Sequence, residues 1–95
     1  MECCKKKHRS EEEYKDLINR LKRIEGQVRG IEKMVEEDAY CVDILTQVTA
    51  VRSALASFDK VLLSSHIRTC VKDGLASGDD SVIEELTDVV GKMMR

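Results

Sequence analysis

Between Ile31 and Asp73 the chain contains neither Gly nor Pro, and apolar residues recur there every three or four positions. Nothing in that stretch breaks a helical backbone, and one face is apolar throughout, so the spacing predicts a long amphipathic α-helix. Placed from Tyr40 to Gly74, a helix of about 35 residues would be ~50 Å long. Its apolar stripe runs Cys41, Leu45, Val48, Val51, Leu55, Phe58 and Leu62, then His66 and Cys70. At ~100° per residue, His66 falls about 20° to one side of Cys41 and Cys70 about 20° to the other. All three line one face, yet Cys41 and His66 stand roughly 37 Å apart along the axis. One straight helix cannot join them, but an antiparallel neighbour can lay its own Cys41 beside His66 and Cys70. Two thiolates and an imidazole converging across a subunit interface would make a soft-metal site.

Two further helices are predicted around this one. Ser10, followed by Glu11, Glu12 and Glu13, supplies an N-cap with acidic residues in the first turn. From there Tyr14, Leu17, Leu21, Ile24, Val28, Ile31 and Val35 alternate in threes and fours, a heptad that carries a first helix to about Glu37. Gly26 and Gly30 interrupt it at about 1 kcal/mol each relative to Ala, and the expectation is that they admit a close neighbour, another helix or a ligand backbone. Asp38 is expected to cap the second helix. Gly74, Ser77, Gly78 and the Asp79-Asp80 pair should end it in a turn. Ser81 to Glu84 fits a capping box, and a short third helix should follow with Ile83, Leu86, Val89 or Val90, and Met93 facing inward.

The chain has 95 residues, 36% of them charged and 3% aromatic. This predicts an all-α protein of three helices per chain: a basic tail at residues 1–9 and a single helical domain at residues 10–95. A chain so short buries about two-thirds of its unfolded surface, which makes oligomerisation a natural source of core. A helix as long as the second also cannot be covered at both ends by its own chain. Pairing the first two helices with those of a second copy would give an antiparallel four-helix bundle, and that pairing would close the metal site. No apolar run approaches the ~20 residues needed to span a bilayer. Met1-Glu2-Cys3-Cys4-Lys5 has no apolar stretch behind it and does not read as a signal peptide. A cytoplasmic protein is expected, and there four cysteines favour metal or redox chemistry over a disulfide framework.

The net charge of −2 does not advertise a nucleic-acid binder, but the charge is segregated. Lys5, Lys6, Lys7, Arg9, Lys15, Arg20, Lys22, Arg23 and Arg29 crowd the first third; Asp73, Asp79, Asp80, Glu84, Glu85 and Asp88 dominate the end. Arg20, Lys22, Arg23 and Arg29 mostly avoid the heptad core, so they form either a solvated face or, doubled by a dimer, a DNA-facing one. His66 and Cys70, four apart, point the same way and can bind one ion together. With Cys41, the donor set suits Cu(I) in trigonal geometry; Zn(II) would want a fourth ligand, and Ni(II) or Co(II) more nitrogen and oxygen. Cys3, Cys4 and His8 read as tail residues without a fixed site, the alternative being a second soft-metal cluster. No nucleotide loop, Ser-His-Asp order or carboxylate pair supports catalysis, so no enzyme is expected.

The run Asn19-Arg20-Leu21-Lys22-Arg23-Ile24-Glu25-Gly26-Gln27-Val28-Arg29-Gly30-Ile31 resembles the signature of the CsoR/RcnR-type transcriptional repressors. So does Tyr40-Cys41-Val42-Asp43-Ile44-Leu45-Thr46-Gln47, followed by Ala50-Val51-Arg52. The likeness runs from about Leu17 to the C-terminus. It implies an all-helical dimer of dimers that binds operator double-stranded DNA without a helix-turn-helix and leaves it when an inducer binds. It also adds Arg52 to the DNA-contacting candidates. Within that family, Cys, His and Cys at the spacing of Cys41, His66 and Cys70 imply a copper sensor. Nickel and cobalt sensors have His at position 70, persulfide sensors usually lack the His, and formaldehyde sensors lack the second Cys. The family's outer Tyr and Glu fall on Tyr40 and Glu85, with Glu84 as the alternative. The expectation is a Cu(I)-responsive repressor of copper-resistance genes. The alternatives are a persulfide or thiol sensor using Cys41 and Cys70, and a copper chaperone or buffer that does not bind DNA.

Overall fold

The computed structural model describes residues 9–94, and all the regular structure among them is helical. Most of the expected basic tail, with Cys3, Cys4 and His8, lies outside the described residues. Helix α1 spans Glu11–Glu36. Ser10 is extended just ahead of it and its hydroxyl accepts the Glu13 N–H at 3.2 Å, while Glu11, Glu12 and Glu13 place negative charge where the helix dipole is positive. The helix stops through two backbone bonds: Ala39 N–H donates to Met34 O at 2.9 Å and Asp38 N–H to Val35 O at 3.2 Å. Asp38 takes φ 54°, in the left-handed region. It therefore closes α1 and does not cap the next helix, which corrects the expectation from sequence. A short polar side chain tolerates that conformation better than most.

Helix α2 follows at Cys41–His66. The Tyr40 carbonyl accepts from Asp43 and Ile44 N–H at 3.0 and 3.2 Å, which places Tyr40 at its threshold. The structure divides into two compact units, one of them Arg9–Leu62. In it α1 and α2 flank a common groove, and with so short a connection they run antiparallel. Leu17 and Ile24 of α1 and Val51 of α2 are its buried apolar residues. Much of the apolar pattern expected to be core stays open: Leu45 is 63% exposed and Leu55 43%, and Val28, Val35 and Val48 are exposed as well.

The second unit takes up the chain at Leu63. After His66 the helix widens into a π turn, Ile67–Val71, in which Lys72 N–H reaches back to Ile67 O; it tightens again as α3, Lys72–Ala76. The backbone stays right-handed helical through both junctions, His66 and Lys72. Side chains serve the carbonyls just upstream: Thr69 Oγ1 donates to Ser65 O at 2.8 Å, and Arg68 Nε and Nη2 donate to Ser64 O and Oγ at 3.4 and 2.9 Å. Such back-bonding offers a carbonyl an alternative to the regular ladder. The periodicity predicts an uninterrupted helix to Gly74. Gly74 is instead buried within α3, and Gly78, at φ 82°, makes the stop, with Asp79 N–H donating to Gly74 O and Gly78 N–H to Leu75 O.

Helix α4, Ser81–Met93, packs back on the π turn. The expected capping box between Ser81 and Glu84 is not what starts it. Asp79 accepts from both the Ser81 N–H and its hydroxyl, and those bonds hold its carboxyl below the usual range. Val82 is the buried residue of α4, with Leu86 and Val90 half-buried one and two turns on, whereas Ile83, Val89 and Met93 are exposed. The buried face is thus rotated by about one residue from the expected one, on a helix that packs against the π turn. Among the described residues no helix is long and apolar enough to cross a membrane.

Candidate metal centre and nucleic-acid face

His66 ends α2 and Cys70 sits in the π turn. The two residues are four apart in sequence, across the junction between α2 and the π turn. Cys70 is buried, at 3% exposure, with the Thr69 hydroxyl 3.8 Å from its sulfur. Half-buried His66 turns Nε2 toward Glu85 Oε1 of α4, 4.0 Å away. That is ion-pair range but longer than a hydrogen bond. Of the two acidic neighbours expected from sequence, Glu85 is the one the fold carries to His66. Because Nε2 faces Glu85, Nδ1 is the nitrogen left to face a ligand.

Cys41 is an exposed free thiol at the first residue of α2, directly after the exposed Tyr40, and belongs to the other unit. Among the described residues, no three His, Cys, Asp or Glu side chains of one chain gather into a metal-binding group. The donors therefore stand as a His66–Cys70 pair with a nearby carboxylate, and a separate thiol open to solvent. Two thiols and one imidazole are soft and borderline donors, a set that fits Cu(I).

The cationic candidates are all on α1 and α2. Lys22, Arg23, Arg29 and Arg52 are exposed. Arg20 and Arg23 line the α1/α2 groove with Ile24, Gln27, Ala54 and Ser57, and Arg20 Nε donates to Asp16 Oδ2 at 3.0 Å. A methyl group added at Gly30 would meet nothing within 4 Å, and at Gly26 only the tip of Arg29 at 4.0 Å. Among the described residues, none supplies the close neighbour expected at these glycines. Sequence reasoning missed Asp16, Gln27 and Ser57. The Asp16–Arg20 spacing of four was visible, but the groove needs the register between two helices, which no single-helix pattern contains.

Residues 13–92 match the family described as metal-sensitive transcriptional repressor, and the chain belongs to that family. It is 51% identical over 89 residues to the copper-sensing transcriptional repressor CsoR of Bacillus subtilis, covering 93% of this chain and 88% of that protein. It is 43% identical over 83 residues to the copper-sensing transcriptional repressor RicR of Mycobacterium tuberculosis, covering 84% of this chain and 86% of RicR. The fold matches the crystal structure of the copper-sensing repressor CsoR with Cu(I) from Geobacillus thermodenitrificans at a TM-score of 0.88 and 42% identity, over 93% of both chains. The nickel-responsive transcriptional regulator InrS matches at 0.72 and 37% identity, over 82% of this chain and 89% of InrS.

Proposed function

We propose that this protein is a cytoplasmic Cu(I)-responsive repressor that holds operator double-stranded DNA in its metal-free form and leaves it when Cu(I) binds, controlling copper-resistance genes. The observation that carries the reading is that His66 ends α2 four residues before the buried Cys70 of the π turn, with a third soft donor, Cys41, exposed at the start of α2. The names of its relatives support copper over nickel, as does a thiol at position 70. Cys41 of one protomer, with His66 and Cys70 of its partner, would hold the ion in a homodimer that pairs into a tetramer. Bound there, Cu(I) supplies affinity for one helix arrangement over another, the sole way a ligand can change DNA affinity. Glu85 keeps the His66 ring turned so that Nδ1 is available, and Tyr40 stands beside Cys41 at the threshold of α2. Lys22, Arg23, Arg29 and Arg52, with Arg20, give α1 and α2 the cations that duplex phosphates require.

Titrating the reduced protein with Cu(I) under a strong competing chelator should reveal one tight site per protomer and a parallel loss of operator affinity. Undiminished Cu(I) affinity in a Cys41→Ala, Cys70→Ala double variant would remove the assignment. A thiol-sensing reading draws on the same two cysteines but does not need His66. It would be preferred if His66→Ala responded normally to polysulfide and the wild type ignored copper.

A further inference from the structure

The α1/α2 groove presents guanidinium, amide and hydroxyl groups from Arg20, Arg23, Gln27 and Ser57 above a floor of Ile24 and Ala54. Donors of this kind suit an anion with several oxygens. Arg20 is held from one side. Its Nε donates to Asp16 Oδ2, one turn earlier on α1, at 3.0 Å. That bond occupies the inner edge of the guanidinium and leaves its terminal nitrogens as the fork that matches two phosphate oxygens. We propose that Asp16 is a positioning residue, which holds Arg20 so that its outer fork receives a backbone phosphate of duplex DNA at this groove. The proposal rests on the reading of the chain as a DNA-binding repressor and adds a residue of opposite charge to its DNA-facing surface.

Charge counting alone predicts the reverse, since a carboxylate beside a phosphate repels it. The Asp16 and Arg20 side chains are 50% and 35% exposed, however, so water and salt screen that repulsion. Positioning is not screened: a free Arg side chain loses rotamer freedom on docking, and Asp16 has already restricted it. Gln27 and Ser57 lie on the same groove and would meet the same phosphate.

Fluorescence anisotropy tests this with full-length reduced protein, metal-free, and a labelled duplex from upstream of its own coding sequence, over a salt series. Asp16→Ala should weaken binding by about three- to fivefold, the range an exposed ion pair can supply. It should also lower the slope of log affinity against log salt by up to about 0.9 for each phosphate that is no longer neutralised. Asp16→Glu, which can still reach Arg20, should restore both, and Asp16→Ala added to Arg20→Gln should cause no further loss. The proposal is overturned if Asp16→Ala tightens binding or leaves it unchanged while Arg20→Gln weakens it. Equal loss in the Arg20→Gln background overturns it too, since Asp16 would then act through the fold. If Asp16→Ala melts early, Asp16→Asn decides: it keeps an acceptor oxygen, so near-normal binding supports positioning and tighter binding overturns it. Failure of the wild type to bind duplex even at low salt would instead remove the DNA-binding reading, and this proposal with it.

Discussion

Asp38, at φ 54°, and Gly78, at φ 82°, close their helices with the same pair of backbone hydrogen bonds. Left-handed backbone is free for Gly and strained for most other residues, with Asp in between. Asp38→Gly should therefore raise stability by about 0.5 kcal/mol, and Gly78→Ala should lower it by about 1 kcal/mol. Thermal melts at one fixed protein concentration check both, because an oligomer's midpoint shifts with concentration; an unchanged midpoint in Gly78→Ala would contradict the cap. At the start of α4, hydrogen bonds from the Ser81 hydroxyl and N–H hold the Asp79 carboxyl below its ordinary pKa. A depressed folded pKa gives stability that is present above the unfolded value and lost as pH falls through the folded one. Asp79→Asn should thus melt earlier than wild type at neutral pH, and the two melting curves should converge in strong acid. A gap that persists in acid would mean the carboxylate is not the source.

Along α1 and α2 the apolar residues keep helical spacing, but a single chain covers few of them. Leu45 and Leu55 remain 63% and 43% exposed on α2. Burying one such side chain is worth about 1.5–3 kcal/mol, so the open stripe is a strong drive to associate. Leu45→Lys should shift the protein to smaller species in analytical ultracentrifugation while its far-ultraviolet helical signal stays; an unchanged mass would show that this face is not an interface. The three-helix plan and the Ser10 cap were legible in the sequence, because helical spacing and caps are local properties of one helix. The π turn was not. It adds a residue to one turn without altering composition, and its support comes from Arg68 and Thr69 side chains bonding upstream carbonyls. Asp38 is ambiguous for a similar reason: Asp serves equally at a helix start or in a left-handed stop, and only the bonds to Met34 and Val35 decide. The buried face of α4 depends on its packing against the π turn, and so could not be read before that turn was known.

The donors proposed for copper are split between the two compact units, with Cys41 in one and His66 and Cys70 in the other. If ligand and DNA bind one assembly competitively, linkage requires the effect to be reciprocal: operator DNA must weaken Cu(I) binding by the factor that Cu(I) weakens DNA binding. His66→Ala should keep thiolate affinity for Cu(I) yet give up much of that factor, because the ring that Glu85 orients is gone. Wild-type release of DNA by this variant would show that the coupling runs by another route. The most direct measurement is complementation between two defective variants. Cys41→Ala and Cys70→Ala proteins, each unable to form the complete site, are mixed, allowed to exchange subunits, and titrated with Cu(I). In a two-fold dimer whose sites are shared, each mixed dimer regains one intact site, so random exchange should restore about one tight site per four protomers, with partial Cu(I)-driven release of DNA. Recovery of neither binding nor release after verified exchange would contradict a site built from two copies of the chain.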